Sequence, residues 1–184
     1  MTLGKPVTIE GARLELLREP LAWFFAEHIR HRQMCGCVEE VAAGADFDPQ
    51  RIGAIVDFLR VDLPLHILDE EEDLFPLLCR RALPEDDLDQ ILGELLAEHR
   101  SDLDEAQRVR ALLERSLTHR ATRGLDAGQL RTLIAFASQE RRHLAIENAV
   151  VLPIARLRLT RDDLADLSRR LAARRAGLGE ARAR

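Results

Sequence analysis

Two short segments of the chain repeat one another, and the repeat restricts what fold can hold them. His66-Ile-Leu-Asp-Glu70 leads to Leu74-Phe75-Pro76, and His143-Leu-Ala-Ile-Glu147 leads to Val151-Leu152-Pro153. Each proline stands ten residues after its histidine. On a helix, residues four apart lie one turn apart on a single face, so each pair points an imidazole and a carboxylate the same way. That way is inward. Val56, Leu59, Leu63 and Leu77 share the stripe of His66 and Glu70, and Phe136, Val150 and Ile154 share that of His143 and Glu147. Two more histidines have the same setting, His28 with Leu21 and Phe24, and His99 with Leu92, Leu95 and Leu103. Ala26-Glu27-His28 recurs as Ala97-Glu98-His99. A helix pair used twice, with its half-sites about a pseudo-twofold axis, is the arrangement this predicts.

Punctuation divides the chain accordingly. Pro20 opens a helix whose apolar spacing runs from Leu21 to Val41 and ends at Ala-Ala-Gly-Ala. Asp48, as N-cap before Pro49, starts a second that runs to about Ala82. Pro84, Glu85 and two aspartates start a third that ends near Leu117. Asp126 caps a fourth reaching about Leu159, and Thr160-Arg-Asp-Asp caps a short fifth. Four long helices on short loops are antiparallel neighbours. The expected fold is all-α, an antiparallel up-down-up-down four-helix bundle with a short fifth C-terminal helix. Residues 1–19 then form an N-terminal extension, 20–159 the bundle, and 160–184 a C-terminal helix and basic tail.

Composition agrees and narrows the function. Aromatic residues are 4% of the chain and there is no Tyr, while Leu, Ala, Glu and Arg dominate, which favours helix over strand. The net charge is −5 with both signs mixed, so the chain lacks the basic stripe of a nucleic-acid binder. Its one basic concentration is Arg169, Arg170, Arg174, Arg175, Arg182 and Arg184. This is either a solvated helix end or a docking surface for an acidic protein partner. Cys35, Cys37 and Cys79 have no disulfide-framework spacing, Met1–Pro20 has no signal-peptide apolar run, and no segment is apolar enough to span a bilayer. A soluble, cytoplasmic chain is the expectation.

The buried polar set needs an energetic explanation. A carboxylate buried alone costs several kcal/mol, and two facing each other resist joint ionisation. No lysine lies on these stripes. One or two divalent metals resolve the conflict, because imidazole and carboxylate together suit iron, zinc or manganese more than calcium or magnesium. Two bridging carboxylates with two histidines per side fit a metal pair roughly 3.5–4 Å apart.

The ordered set of His28, His66-x-x-x-Glu70 with its Leu-Phe-Pro, His99, and His143-x-x-x-Glu147 with its downstream proline resembles the hemerythrin-like, or HHE, cation-binding family over about residues 20–158. The resemblance implies a non-haem di-iron centre, oxo- or hydroxo- and carboxylate-bridged, with His28, His66, Glu70, His99, His143 and Glu147 as ligands and a position open to O2 or a related small ligand. Manganese or zinc are the alternative metals. Oxygen-carrying hemerythrins have a further histidine four residues after that of the third helix, where this chain has Leu103. His31, three residues after His28, is either a fifth histidine ligand or a supporting or surface residue. The departure argues against reversible O2 carriage. It favours redox chemistry, peroxide or nitric oxide handling, or iron or oxygen sensing through the C-terminal helix. The ferritin-like rival fails because Glu140-x-x-His143 fits its motif but the position before His66 is Leu63.

Smaller expectations follow. Cys35, seven residues after His28, is either a redox partner for the site or a cysteine filling core volume. Trp23 and Phe25 pack beside the first stripe, and His119 sits in an exposed loop. Glu71 and Glu72 extend the acidic run after Glu70, on a solvated helix face or with one of them reaching a metal. Glu27 and Glu98, beside histidines, are either acceptors that orient an imidazole or outward-facing residues, since adjacency on a helix points them about 100° away.

Overall fold

Proline and side-chain caps open the helices of the computed structural model, which describes residues 7–44, 46–119 and 125–182. Helix α1 is Pro20–Ala42, α2 spans 49–81, α3 is Leu88–His119, α4 spans 127–158 and α5 is Arg161–Arg182. Among the described residues there is no strand. Pro20 is the first residue of α1, and Asp48 accepts the amides of Gln50 and Arg51 at 3.0 and 3.1 Å to open α2. Asp126 and Gln129 form a reciprocal capping box on α4. The third helix begins later than Pro84. Pro84–Asp86 make a single 3-10 turn, and Asp87 takes a left-handed conformation with φ of 48°, which stops the turn from continuing. A 3-10 turn over Leu14–Arg18 precedes α1. His119 is exposed, but as the last residue of α3 rather than in a loop. Residues 1–6, 120–124 and 183–184, including Arg184 of the basic tail, lie outside the described residues.

Helices α2 and α4 are not regular. Each contains five-residue π turns, Phe58–Asp62 and Glu70–Leu74 in α2 and Glu147–Val151 in α4. In all three, the residue after the turn donates its N–H five residues back, Leu63 to Phe58, Phe75 to Glu70 and Leu152 to Glu147. A proline follows at once, Pro64, Pro76 or Pro153. Proline has no N–H, and its ring clashes with the carbonyl four residues back in a regular helix. One extra residue in the preceding turn makes the room. Two of the three turns open on Glu70 and Glu147, so the proline echo in the sequence marks where both carboxylates leave regular helix.

Helix α1 packs along α4, α2 along α3, and α3 along α4, closing the up-down-up-down bundle. The core is two apolar clusters with a polar layer between them. One contains Met34, Ile55, Phe58, Leu63, Val109 and Phe136; the other contains Trp23, Phe24, Leu74, Phe75, Leu95 and Val151. Along α1 the order is Phe24, His28, Met34, and along α2 it is Leu63, His66, Glu70, Leu74. Antiparallel helices thus cross the same three layers in opposite order. Cys35 is fully buried in the first cluster and burial drives its thiol pKa up, so it is an inert core residue. Phe25 does not pack as expected and is 50% exposed.

Helix α5 is 22 residues long, not short. Leu167 and Leu171, one turn apart, are buried against the second cluster and carry the helix past its cap. Two arginines of the basic stretch, Arg174 and Arg175, are bound within the chain, while Arg169 and Arg170 remain exposed. Arg174 Nη1 donates to Asp69 Oδ1 at 2.5 Å and to Asp73 Oδ2 at 2.6 Å, and Arg175 Nη1 donates to Asp69 Oδ1 at 2.6 Å. For these two arginines the acidic partner is the chain's own α2.

The start of α5 is held by Thr160 and Asp163, whose carboxylate accepts from the Thr160 amide at 2.9 Å and from Arg81 at 2.8 Å. The Arg81 and Thr160 contacts hold the Asp163 carboxyl well below its ordinary value of 3.8. A depressed carboxylate stabilises the fold above the unfolded pKa and ceases to do so as pH falls through its folded value. Asp163→Asn should therefore cost about 1 kcal/mol at neutral pH. In denaturant titrations the gap from the unmodified chain should close below pH 3.8.

Candidate metal centre

Four helices each place one histidine in the polar layer, and the two π turns place the carboxylates between them. His28, His66, Glu70, His99, His143 and Glu147 are all buried. Two sets form, in each of which one ligand atom per residue lies within 4.8 Å of the others. The first is His28, His66, Glu70 and Glu147; the second is Glu70, His99, His143 and Glu147. Both carboxylates belong to both sets. Glu70 Oε1 lies 3.7 Å from His28 Nε2 and 3.5 Å from His66 Nε2, while its Oε2 lies 3.5 Å from His99 Nε2. Glu147 Oε2 lies 3.5 Å from His28 Nε2, while its Oε1 lies 2.9 Å from His143 Nε2. Each carboxylate thus divides its two oxygens between two imidazole groups, the disposition of a bridge.

Hydrogen bonding fixes the tautomers in the second set. His99 Nδ1 is 3.0 Å from Glu71 Oε1, and His143 Nδ1 is 2.8 Å from Glu98 Oε2. A carboxylate only accepts, so both Nδ1 atoms carry protons and donate. The two Nε2 atoms then face each other at 3.0 Å. Two imidazole lone pairs so placed share either a proton or a cation. Burial opposes charge on these rings, yet Glu70 and Glu147 raise the pKa of His28, His99 and His143, the last to about 10. His66 goes the other way, because burial and then His31 and His28 disfavour its charge. Burial also opposes charge on Glu70, but His28 and His99 hold its pKa low. Protons and a cation compete for the same Nε2 atoms.

The first set is largely unmatched by hydrogen bonds. Both ring nitrogens of His28 and His66, Glu70 Oε2 and Glu147 Oε2 are buried and have no hydrogen-bond partner among the described residues. Buried polar atoms left unmatched cost about 1–3 kcal/mol each, and so many in one layer fit a ligand set better than a polar network. Nitrogen and carboxylate donors in these numbers suit a divalent transition metal.

His31 is fully buried, which removes the surface reading. Its Nδ1 bonds Glu140 at 2.6 Å, its ring centre lies 4.4 Å from that of His66, and it stands outside both ligand sets. A cavity of about 10 Å³ lies beside His66, His99, His143, Glu140, Asp102 and Leu63. Burial and then Glu140 push the Asp102 carboxyl up to about 6.

Of the three carboxylates that hold imidazoles, Glu71 and Glu140 escape the sequence reading in this role, and Glu98, open there as an acceptor, holds a histidine other than its neighbour. Glu71 and Glu98 have partners on other helices, and Glu140 meets His31 across the bundle. Glu98 does point away from its neighbour His99, and in doing so reaches His143. Glu27 serves Arg30 instead, at 2.9 and 3.0 Å.

An all-helical bundle with two buried His/Glu sets that share their carboxylates is a metal-binding helical protein by fold and by site. The chain belongs to the hemerythrin HHE cation-binding domain family, whose model matches residues 19–155. No curated protein sequence matches it at a significant level. No helix among the described residues is long and apolar enough to cross a membrane.

Proposed function

We propose that the chain holds a pair of irons and serves a small diatomic or peroxide ligand, O2, peroxide or nitric oxide, in redox or stress handling. His28 and His66 would hold one iron and His99 and His143 the other, with Glu70 and Glu147 offering a carboxylate oxygen to each half. Manganese or zinc would meet the same donors. The observation that carries this reading is the division of each carboxylate's oxygens between the two halves. When bound, an iron pair supplies or takes up the electrons that such a ligand exchanges.

The protein's own groups differ between the halves. Glu71 and Glu98 keep the Nδ1 protons of His99 and His143 in place, so that Nε2 faces inward and the ring is more basic. The His28 and His66 half has no such acceptors and is walled by Phe24 and by Phe58, which packs on His31. The cavity of about 10 Å³ has room for roughly one water-sized molecule, which favours a ligand of one or two heavy atoms over any larger substrate. His31 is best read as a buried neighbour that Glu140 holds against His66, not as a ligand.

Metal analysis of the aerobically purified chain tests the reading. About two irons per chain are expected, with ferric absorption bands that nitric oxide or peroxide changes. A chain that takes up no iron, manganese or zinc on reconstitution would overturn it. A second reading, an iron or oxygen sensor, draws support from α5, whose arginines hold Asp69 immediately before Glu70.

A further inference from the structure

A groove of about 660 Å³ that shares no lining residue with the ligand sets lies between the Leu14–Arg18 turn, the first turn of α1, the end of α4 and the first turns of α5. Its apolar lining is Pro20, Leu21, Ala22, Leu164 and Ala165. Arg18, Arg156, Arg161 and Arg169 line it too, with Glu19 as the one acid. This is unusual for a chain of net charge −5. Elsewhere Arg81, Arg158, Arg174 and Arg175 hold carboxylates, while Arg80, Arg100, Arg115 and others on the surface make no ion pair among the described residues. What sets the groove apart is that several such cations share one apolar-lined hollow. In the groove only Arg169 holds a carboxylate, that of Asp166. Arg18, Arg156 and Arg161 make no ion pair among the described residues, and all three are exposed.

Two of these cations stand where stability argues against them. Arg18 precedes the N-terminus of α1, and Arg161 is the first residue of α5. Helix N-termini carry partial positive charge and disfavour cations. The first turn of α1 contains no acid, and its N-cap Glu19 makes no side-chain cap, so the Leu21 and Ala22 amides add donors to the same groove. The walls are tied together, because the Ser168 hydroxyl donates to the Leu17 carbonyl at 2.6 Å and joins α5 to the turn. The volume and the mixture of apolar lining with a few charged groups fit a small-molecule site.

The geometry points to an amphipathic carboxylate as the occupant, and we propose that this groove binds one: an apolar chain ending in a single anionic group. Its head lies by Arg18 and Arg161 at the start of α1, and its chain along Leu21, Leu164 and Ala165. An inorganic anion would leave the apolar lining in water. A neutral apolar molecule would leave three guanidinium groups unanswered. The inference is independent of the metal reading.

Isothermal titration of dodecanoate into the metal-loaded full-length chain at low salt and neutral pH tests this, with inorganic phosphate and dodecyltrimethylammonium as parallel titrants. One saturable dodecanoate per chain is expected, and neither parallel titrant should saturate. An Arg18→Gln/Arg161→Gln chain should bind dodecanoate more weakly by about tenfold or more, since charge-assisted bonds are lost. Both residues are exposed, and circular dichroism checks that the variant folds. Absence of saturable dodecanoate binding, unchanged affinity in the variant, or equal binding of phosphate or of the cationic amphiphile would each overturn the proposal.

Discussion

Stripping the metal from the full chain should lower its melting temperature by about 10 °C, and Glu70→Gln should remove most of that difference. Metal binds the folded chain because its ligand atoms come from four helices that only folding brings together. At free metal about a thousandfold above the dissociation constant, binding adds about 4 kcal/mol. For a domain of this size, each kcal/mol moves the melting temperature by about 2–4 °C. The stripped chain buries the His28 and His66 nitrogens and one oxygen each of Glu70 and Glu147 unmatched, so the loss has a structural origin. Glu70 is the sharp probe because its two oxygens face the two halves separately. An amide there weakens both at once. Calorimetry on stripped and reloaded chains at one pH measures the effect, and equal melting temperatures would place the metal outside the core.

Spacing along one helix reveals what that helix presents to the core. His66 and Glu70 are legible because residues four apart share a face, and His28 and His99 because each interrupts an apolar stripe. It does not say which side chain of another helix waits there. Glu98 and Glu71 lie beside core positions on their own helices, at an angle that turns them outward. Packing against neighbours brings Glu98 to His143 and Glu71 to His99. Glu140 was visible only as part of a ferritin-like motif that failed, and His31, on α1, gives it a use. The arginines of α5 read as charge on a helix end because their partners lie roughly a hundred residues earlier in the chain. The prolines are the intermediate case. Their equal distance from the two histidines is plain in the sequence. That each forces a π turn opening on the carboxylate follows only once the helices are known to continue through Pro76 and Pro153.

Replacing Arg174 and Arg175 together by alanine should cost about 3 kcal/mol, or roughly 6–12 °C of melting temperature. Asp69 is fully buried, and both of its oxygens are held by these two residues. Arg175 also lies over the Trp23 ring, 4.7 Å from its centre, so its removal strips packing from the second cluster. The cost sits at the lower end for a broken buried pair, because the arginines themselves are 17% and 11% exposed and water can follow them out. Adding Asp69→Leu should recover part of the loss, since it removes the carboxylate that both arginines hold, while Asp73, which Arg174 also holds, stays buried with only Arg170 at 3.4 Å. Metal retention should behave differently. Asp69 immediately precedes the π turn that opens on Glu70, so releasing it loosens the backbone that carries a carboxylate shared by both candidate ligand sets. Iron affinity should fall by about tenfold in the double variant and stay low in the triple one, in line with losses seen when groups that orient metal ligands are removed. Recovery of melting temperature without recovery of metal retention separates a helix that merely buries surface from one that holds Glu70 in place. Recovery of both would make α5 a structural brace and remove the support for a sensor.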